Sequence, residues 1–333
     1  MIWLLEKYKK RSNIYWSLIW MTVAVFIFLL SAFREGGSDW ENYNSLYLQI
    51  ATSESVLDAI STNFLFEPLY VALNYWFSNF FETRRELIIF ESFINALAIY
   101  LLIKKTSGGP ILLVWLFPLQ FANIIGVRQT LATSLVIIGI LSSRAPLRLA
   151  MMACAPFIHL SGLLVYIANS VSSVRISVWK TILGIGGAAL IIIILQELIL
   201  EKFENYFQNA AELTNLSTMD VVIGKLITML FLAGVTILAA SLSTDSWRKF
   251  NPTLVLVSLV FSFAGLVTPS LVRLSTPFEL ILAWQCTEYI SKMRNKKEQL
   301  ILGGVFVIVA ALKMARISLQ FQDVYQVCFF CKY

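Results

Sequence analysis

The chain has 333 residues and a formal net charge of +6, and 58% of its residues are hydrophobic whereas only 14% are charged. Soluble domains carry about 25% charged residues, so this composition excludes an ordinary water-soluble protein. It predicts an all-α, polytopic integral membrane protein with a single transmembrane domain over residues 1–333. The positive charge does not predict nucleic-acid binding, because Lys and Arg gather in the cytoplasmic loops of membrane proteins.

The basic clusters give the predicted orientation. They lie at 6–11, 103–107, 144–148, 247–251 and 291–297. Assigning them to the cytoplasm places the amino terminus inside the cell.

The first apolar segment, 14–33, is long enough to cross the membrane outward. A polar stretch, 34–66, follows and is predicted to be an external loop. The next segment, 67–81, is too short for a comfortable span. Its aromatic residues suit the membrane surface, and Pro68 suits a first helical turn. This segment is therefore predicted to be an interfacial external helix.

Segment 87–103 returns to the cytoplasm, and 110–142 forms a helix pair with its turn at 122–130. A full span at 147–172 would invert every later loop against the positive-inside rule. We therefore interpret 155–162 as the tip of a re-entrant hairpin entered from the cytoplasm. The later segments are 179–198, an external loop at 199–220, 221–242, 252–270, 276–290 and 299–318. In total, about ten transmembrane or re-entrant helices are expected on the length rule.

Three basic residues occupy one kind of position: Arg128, His159 and Arg273 each stand where a helix is predicted to begin. Helix starts present unpaired N–H groups to anions, and arginine binds phosphate through two parallel hydrogen bonds. Together they indicate a site for a diphosphate. The alternatives are that the arginines bind lipid head groups in general and that the histidine is a hydrogen-bonded core residue.

Carboxylates and aromatic residues supply the rest of the predicted site. Asp39 and Glu67 are candidate catalytic bases, alongside the three basic residues. The candidate substrate-binding residues are Trp40, Tyr43, Gln129, Ser161 and Glu279. Aromatic rings can stack on sugars, but they also form membrane-interface belts, and Asp39 can be a solvated loop residue. No set of metal ligands is recognisable, so no metal or other cofactor is predicted.

Five stretches occur in an order and at spacings that resemble the EpsG-type family of bacterial polysaccharide polymerases, which are Wzy-like. They are GSDWENYNSLY, FEPLYVALNYWF, GVRQTLATSL, FIHLSGLLVY and VRLSTPFEL. The resemblance covers roughly residues 30 to 290.

The resemblance implies a glycosyltransferase of the bacterial inner membrane, with a fold like that of GT-C membrane glycosyltransferases. It would transfer a growing glycan from undecaprenyl diphosphate to the terminal sugar of a lipid-linked repeat, at the external face. Donor and acceptor would both be undecaprenyl diphosphate-linked oligosaccharides. Membrane lipid, a flippase and a chain-length regulator are the other expected partners. Arg128 and Arg273 would stabilise the departing diphosphate, Asp39 or Glu67 would act as base, and His159 could serve either role.

Two other functions remain open. A ligase that moves a finished glycan to another lipid would use the same donor chemistry. A transporter or flippase of lipid-linked oligosaccharide would favour inverted repeats and a midplane site, and neither is recognisable in the sequence.

The predicted topology can be tested by cysteine labelling of intact cells. We expect labelling at Ser45 and Asn215, which are external, and none at Asn295, which is cytoplasmic. Protection of Asn215 would show that 147–172 is one full span.

Overall fold

The computed structural model describes residues 13–36, 40–64, 66–106, 109, 111–116, 127–159, 162–164, 218–242, 252–267, 276–321 and 325–327. Its helices are α1 Asn13–Ala32, α2 Trp40–Ala51, α3 Val56–Thr62, α4 Pro68–Ser78, α5 Arg85–Lys105, α6 Val127–Leu141, α7 Ala145–Ile158, α8 Thr218–Ser241, α9 Pro252–Val267, α10 Thr276–Ser291 and α11 Lys296–Phe321. Two three-residue strands, β1 Arg34–Gly36 and β2 Tyr325–Val327, complete these ranges. The predicted helical class is confirmed here.

Within the described ranges, three stretches are both long and apolar enough to cross a membrane. They are Arg85–Lys105, Val222–Ser241 and Lys296–Ala315. Shorter apolar helices include Ser17–Ala32, Val127–Leu141 and Ala145–Ile158. These helices are consistent with the predicted membrane protein. The expected segment at 179–198 and most of the loop at 199–220 lie outside the described residues, so the count of about ten stays a prediction.

The chain divides into two compact units, residues 1–163 with 304–333 and residues 164–303. In the second unit, α8, α9 and α10 pack against one another in pairs. The single transmembrane domain over 1–333 stays a prediction. The first unit holds most of the predicted site residues that the structure describes.

The polar stretch 34–66 is helical over most of its described length, which differs from the loop expected there. In α2, Tyr43, Leu46, Tyr47 and Ile50 are buried. Their spacing of three and four residues places them on one helical face, and that face packs against α4. The external position of this stretch stays a prediction.

Glu67 and Pro68 set the start of α4. Pro68 occupies the first helical position, as predicted, where its missing N–H costs no intrahelical bond. Glu67 is the residue before it, in extended backbone conformation. With 11 residues, α4 is about 16 Å long and too short to cross a bilayer.

The longer helices of the first unit pack in sequence: α1 against α5, α5 against α6, and α6 against α7. A buried polar contact joins two of them, because Ser134 Oγ in α6 donates to Asn95 Oδ1 in α5 at 3.2 Å. At the other end of these helices, Lys105 Nζ donates to the carbonyl of Leu141. The carboxyl ends of α5 and α6 are therefore neighbours, and so are their amino ends.

Helices α6 and α7 form an antiparallel hairpin through a short turn at 142–144. A Cβ added at Gly139 would lie 3.2 Å from the carbonyl oxygen of Arg148. Arg128 lies 11 residues before Gly139, and His159 lies 11 residues after Arg148. Arg128 and His159 therefore lie at the same end of the hairpin.

His159 terminates a helix, and the expectation that it begins one is wrong. It is the C-cap of α7, and its backbone N–H donates to the carbonyl of Ala155 at 3.0 Å. The helix continues through Pro156, which the sequence indicated as a break point, and ends at Ile158. The break predicted near 155–162 is present, but the later course of the chain, from 165 to 217, lies outside the described residues.

Gly162 permits a close turn after this break. A Cβ at Gly162 would lie 2.8 Å from Ala155 Cβ and 2.9 Å from the Ala155 carbonyl carbon. A backbone carbon cannot yield as the end of a flexible side chain can. The close approach of residue 162 to Ala155 therefore depends on this glycine.

We expect Gly162→Ala to lower the free energy of unfolding by about 1–3 kcal/mol through overpacking. Gly304→Ala is the matched control, because a Cβ there would meet nothing within 4 Å. In the middle of α11, that change should stabilise the protein by up to about 1 kcal/mol through helix propensity. Thermal unfolding of the detergent-purified variants measures both effects, and equal melting temperatures would contradict the close approach at Gly162.

Candidate active site

Arg128 lies at the centre of a polar cluster in the first unit. It is the second residue of α6, as the sequence predicted, and only 4% of it is exposed. A guanidinium loses most of its hydration at such a position, so its charge must be compensated by the protein.

Two side chains from outside α6 accept hydrogen bonds from this guanidinium. Arg128 Nη1 donates to Glu67 Oε2 at 2.5 Å, and Nε donates to the Tyr43 hydroxyl at 3.0 Å. Tyr43 belongs to α2, Glu67 caps α4, and Arg128 opens α6. One contact set therefore fixes the relative positions of three helices.

Aromatic rings surround the same guanidinium. Its central carbon lies 4.7 Å from the ring centre of Phe66, 5.6 Å from that of Tyr43 and 5.8 Å from that of Tyr70. Tyr43 and Tyr70 meet edge to face at 5.9 Å. These are cation–π distances, and such contacts strengthen where water is excluded.

Glu67 is the more accessible partner of the pair. Its side chain is 25% exposed, against 5% for that of Arg128. The carboxylate therefore has one side held by Arg128 and another open to a ligand.

A second buried arginine, Arg84, adjoins this pair. Its Nη2 donates to the Tyr70 hydroxyl at 3.4 Å, and its guanidinium lies 4.8 Å from the Tyr43 ring centre. We name the set of Tyr43, Phe66, Glu67, Tyr70, Arg84 and Arg128 the arginine cluster. The sequence analysis did not select Arg84, although an Arg-Arg pair at the predicted external end of a span departs from the positive-inside rule and could have indicated it.

The buried tyrosines near the cluster stay protonated. Burial, and then the charge of Glu91, raises the pKa of Tyr70 to about 12. Burial, and then the charge of Glu86, raises the pKa of Tyr47 to about 12, and its hydroxyl donates to the carbonyl of Phe81 at 2.9 Å. Neither phenol can accept a proton as a phenolate at neutral pH, so the carboxylate of Glu67 is the better candidate base.

A cleft of about 210 Å³ lies beside the cluster. Trp40, Asn44 and Tyr47 from α2 line one part of it, and the segment Glu82–Arg85 lines another. Ala32, Leu48 and Ile88 supply its apolar wall. Arg84 belongs to both the cleft and the arginine cluster.

The structure thus brings together Tyr43, Glu67 and Arg128, with Trp40 on the same helix as Tyr43. Gln129 follows Arg128 on α6 and is half-buried, and His159 lies at the same end of the α6–α7 hairpin. Three predicted site residues fall outside the described residues, namely Asp39, Ser161 and Arg273.

Glu279 is fully buried in the second unit. It pairs with Lys225 of α8, whose Nζ also donates to Thr276 Oγ1 at 3.1 Å. Lys225 was not among the sequence candidates, because a single lysine near the start of a predicted span gives no spacing signal.

The sequence model of the EpsG family matches residues 17–328. The chain belongs to the EpsG family. The resemblance read from its motifs is confirmed, and membership indicates a membrane protein of the polysaccharide polymerase type. The EpsG family is associated with glycosyltransferase-like polymerase activity. No curated protein and no solved structure matches the chain, so the likeness to GT-C glycosyltransferases stays a prediction.

The Arg128–Glu67 pair predicts strong coupling between the two positions. Arg128→Met and Glu67→Gln should each destabilise the protein, and the double variant should lose less stability than the sum. We expect a coupling free energy of about 0.5–3 kcal/mol, since the two groups are in contact. Denaturant unfolding in detergent measures this cycle.

Glu54, an exposed carboxylate before α3, provides the control for that cycle. Arg128→Met combined with Glu54→Gln should be additive within about 0.5 kcal/mol. Additivity of the Glu67 cycle as well would mean that the ion pair contributes nothing to the fold.

Proposed function

We propose that this protein is a polysaccharide polymerase that transfers a growing glycan from its undecaprenyl diphosphate carrier to the terminal sugar of a lipid-linked repeat unit. The reaction would take place at the external face of the bacterial inner membrane. Family membership supports the class of reaction. One observation supports assigning the reaction to the arginine cluster. The Glu67 carboxylate is bound on one side by buried Arg128 and is accessible on another.

The reaction forms one C–O bond, breaks another C–O bond and transfers one proton. A hydroxyl oxygen of the acceptor sugar attacks the anomeric carbon of the donor, and the bond from that carbon to the diphosphate oxygen breaks. The electron pair leaves with the diphosphate, and the hydroxyl proton passes to a base. Such a site needs a positioned base and stabilisation of the negative charge on the leaving group.

Glu67 is proposed as the base. Its exposed part can reach an acceptor hydroxyl, while the bond from Arg128 fixes the orientation of the carboxylate. Tyr43 holds the guanidinium in turn through Nε. Arg128 is thus a positioning residue before the reaction begins.

Arg128 has a second proposed role as the reaction proceeds. While Glu67 is negative, it compensates the charge of the guanidinium. Once the carboxylate takes the hydroxyl proton, that charge is no longer compensated and can stabilise the diphosphate. Transfer of one proton then couples activation of the acceptor hydroxyl to departure of the diphosphate from the donor sugar.

Two features support an external position for this site. The arginine cluster lies at the amino ends of α5 and α6, whereas Lys104 and Lys105 end α5 on the opposite side. The α6–α7 turn on that opposite side carries Arg144. The positive-inside rule assigns the lysine end to the cytoplasm and the cluster to the outer face.

Reconstitution with a synthetic lipid diphosphate-linked repeat tests the proposal. The wild type should form polymer and release undecaprenyl diphosphate in step with each sugar bond. Glu67→Gln should lower the turnover rate by at least about 100-fold, since general-base catalysis contributes about 10²–10⁴-fold. Glu54→Gln should retain wild-type turnover. Transport of the repeat across vesicles without polymer would indicate a flippase instead, and transfer of one finished glycan to another lipid would indicate a ligase.

The same assay tests His159. His159→Gln keeps a hydrogen-bonding side chain but cannot titrate between pH 5 and 8. Because Glu67 is assigned the proton, this variant should keep turnover within a few-fold of wild type. A loss as large as that of Glu67→Gln would transfer the role of base to His159.

A further inference from the structure

Arg84 is buried without full hydrogen bonding. Only 4% of the residue is exposed. Its Nη2 has the long bond to Tyr70, but Nε and Nη1 have no hydrogen-bond partner among the described residues. Buried donors that remain unsatisfied cost stability, and a buried charge costs more. A position that keeps such a group at this cost is a candidate for ligand binding.

The cleft brings Arg84 together with side chains suited to a sugar. Arg84 lines the cleft together with Trp40, Asn44 and Tyr47 of α2. The indole of Trp40 offers a flat apolar ring, and Asn44 offers both a donor and an acceptor. A volume of about 210 Å³ is smaller than the pockets of about 300–1,000 Å³ that hold drug-sized ligands. The cleft therefore suits a single ring rather than an oligosaccharide.

The charges of the cleft favour an anion. Arg84 and Arg85 line it together with one carboxylate, Glu82, which is exposed. Both arginines stand at the start of α5, a helix of 21 residues whose first N–H groups add positive potential.

We propose that this cleft is a subsite for an acidic sugar of the lipid-linked glycan. Arg84 binds the carboxylate or phosphate that the sugar carries, and Trp40 stacks on its ring. This proposal rests on the proposed function, since it assigns the sugar next to Glu67 and Arg128. Arg84 also contacts Tyr43 and Tyr70 of the arginine cluster, so an occupied cleft adjoins the proposed base.

Ligand-dependent thermal unfolding of the full-length protein in detergent tests the subsite without requiring polymerisation. The probes are methyl glucuronide, glucose 1-phosphate, inorganic diphosphate and neutral methyl glucoside. A ligand that binds only the folded state raises the melting temperature. We expect a rise with at least one acidic sugar and at least tenfold weaker binding of the glucoside.

Arg84→Met should weaken acidic-sugar binding at least tenfold. Its melting temperature without ligand should equal or exceed that of the wild type, because the buried unsatisfied charge is gone. Arg144→Gln, an exposed arginine at the opposite end of the α6–α7 hairpin, should bind as the wild type does. If Arg84→Met does not fold, Trp40→Leu replaces it and should weaken the binding of acidic sugars but not that of diphosphate.

The probes also separate the two sources of negative charge. Binding of methyl glucuronide alone identifies a sugar carboxylate, whereas binding of glucose 1-phosphate alone identifies a sugar phosphate. Equal binding of neutral and acidic sugars, binding of diphosphate alone, or unchanged binding by Arg84→Met would overturn the proposal. Acidic-sugar binding by a protein that makes no polymer would retain the subsite and reject the polymerase.

Discussion

The described part of the first unit depends on one interaction, the ion pair between Arg128 and Glu67. The guanidinium is almost fully buried, so α6 can begin where it does only if a carboxylate and ring faces replace the lost water. Glu67 can supply that carboxylate because Pro68 starts α4 immediately after it. Tyr43 supplies a ring and a hydroxyl because α2 packs on α4. The contacts of Arg128 thereby hold α2, α4 and α6 together at one point.

The two buried arginines differ in how well the protein compensates them. Arg128 has a carboxylate, a hydroxyl and ring faces around it. Arg84 shares the tyrosines, but no carboxylate among the described residues forms a hydrogen bond with it. A fully paired buried charge helps to fix the structure, whereas a partly paired one retains hydrogen-bond donors that can bind an anion. The two residues are therefore suited to different tasks, although they contact the same rings.

The sequence predicts the membrane class, the helix that Arg128 opens and the helix start at Pro68, because each rests on composition or on a local rule. It also places Glu67, Tyr43 and Arg128 among the site residues. It does not predict that they touch, because contact between residues so far apart in sequence depends on packing. The helical state of 40–51 was missed although Tyr43, Leu46, Tyr47 and Ile50 carry the helical spacing. Arg84 was not selected, although its place in an Arg-Arg pair at the predicted external end of a span was a signal. Its burial could not be predicted, because burial depends on packing.

The pairing of β1 with β2 has a consequence for how the chain is threaded through the membrane. Arg34 pairs with Val327 and Gly36 with Tyr325, so these two short segments must lie on the same side of the bilayer. Any set of predicted spans between Gly36 and Tyr325 must therefore contain an even number of crossings. This parity follows from hydrogen bonding alone and uses no information from the distribution of charge. The predicted spans satisfy it when 155–162 is a re-entrant tip, and a full span at 147–172 would make the number odd.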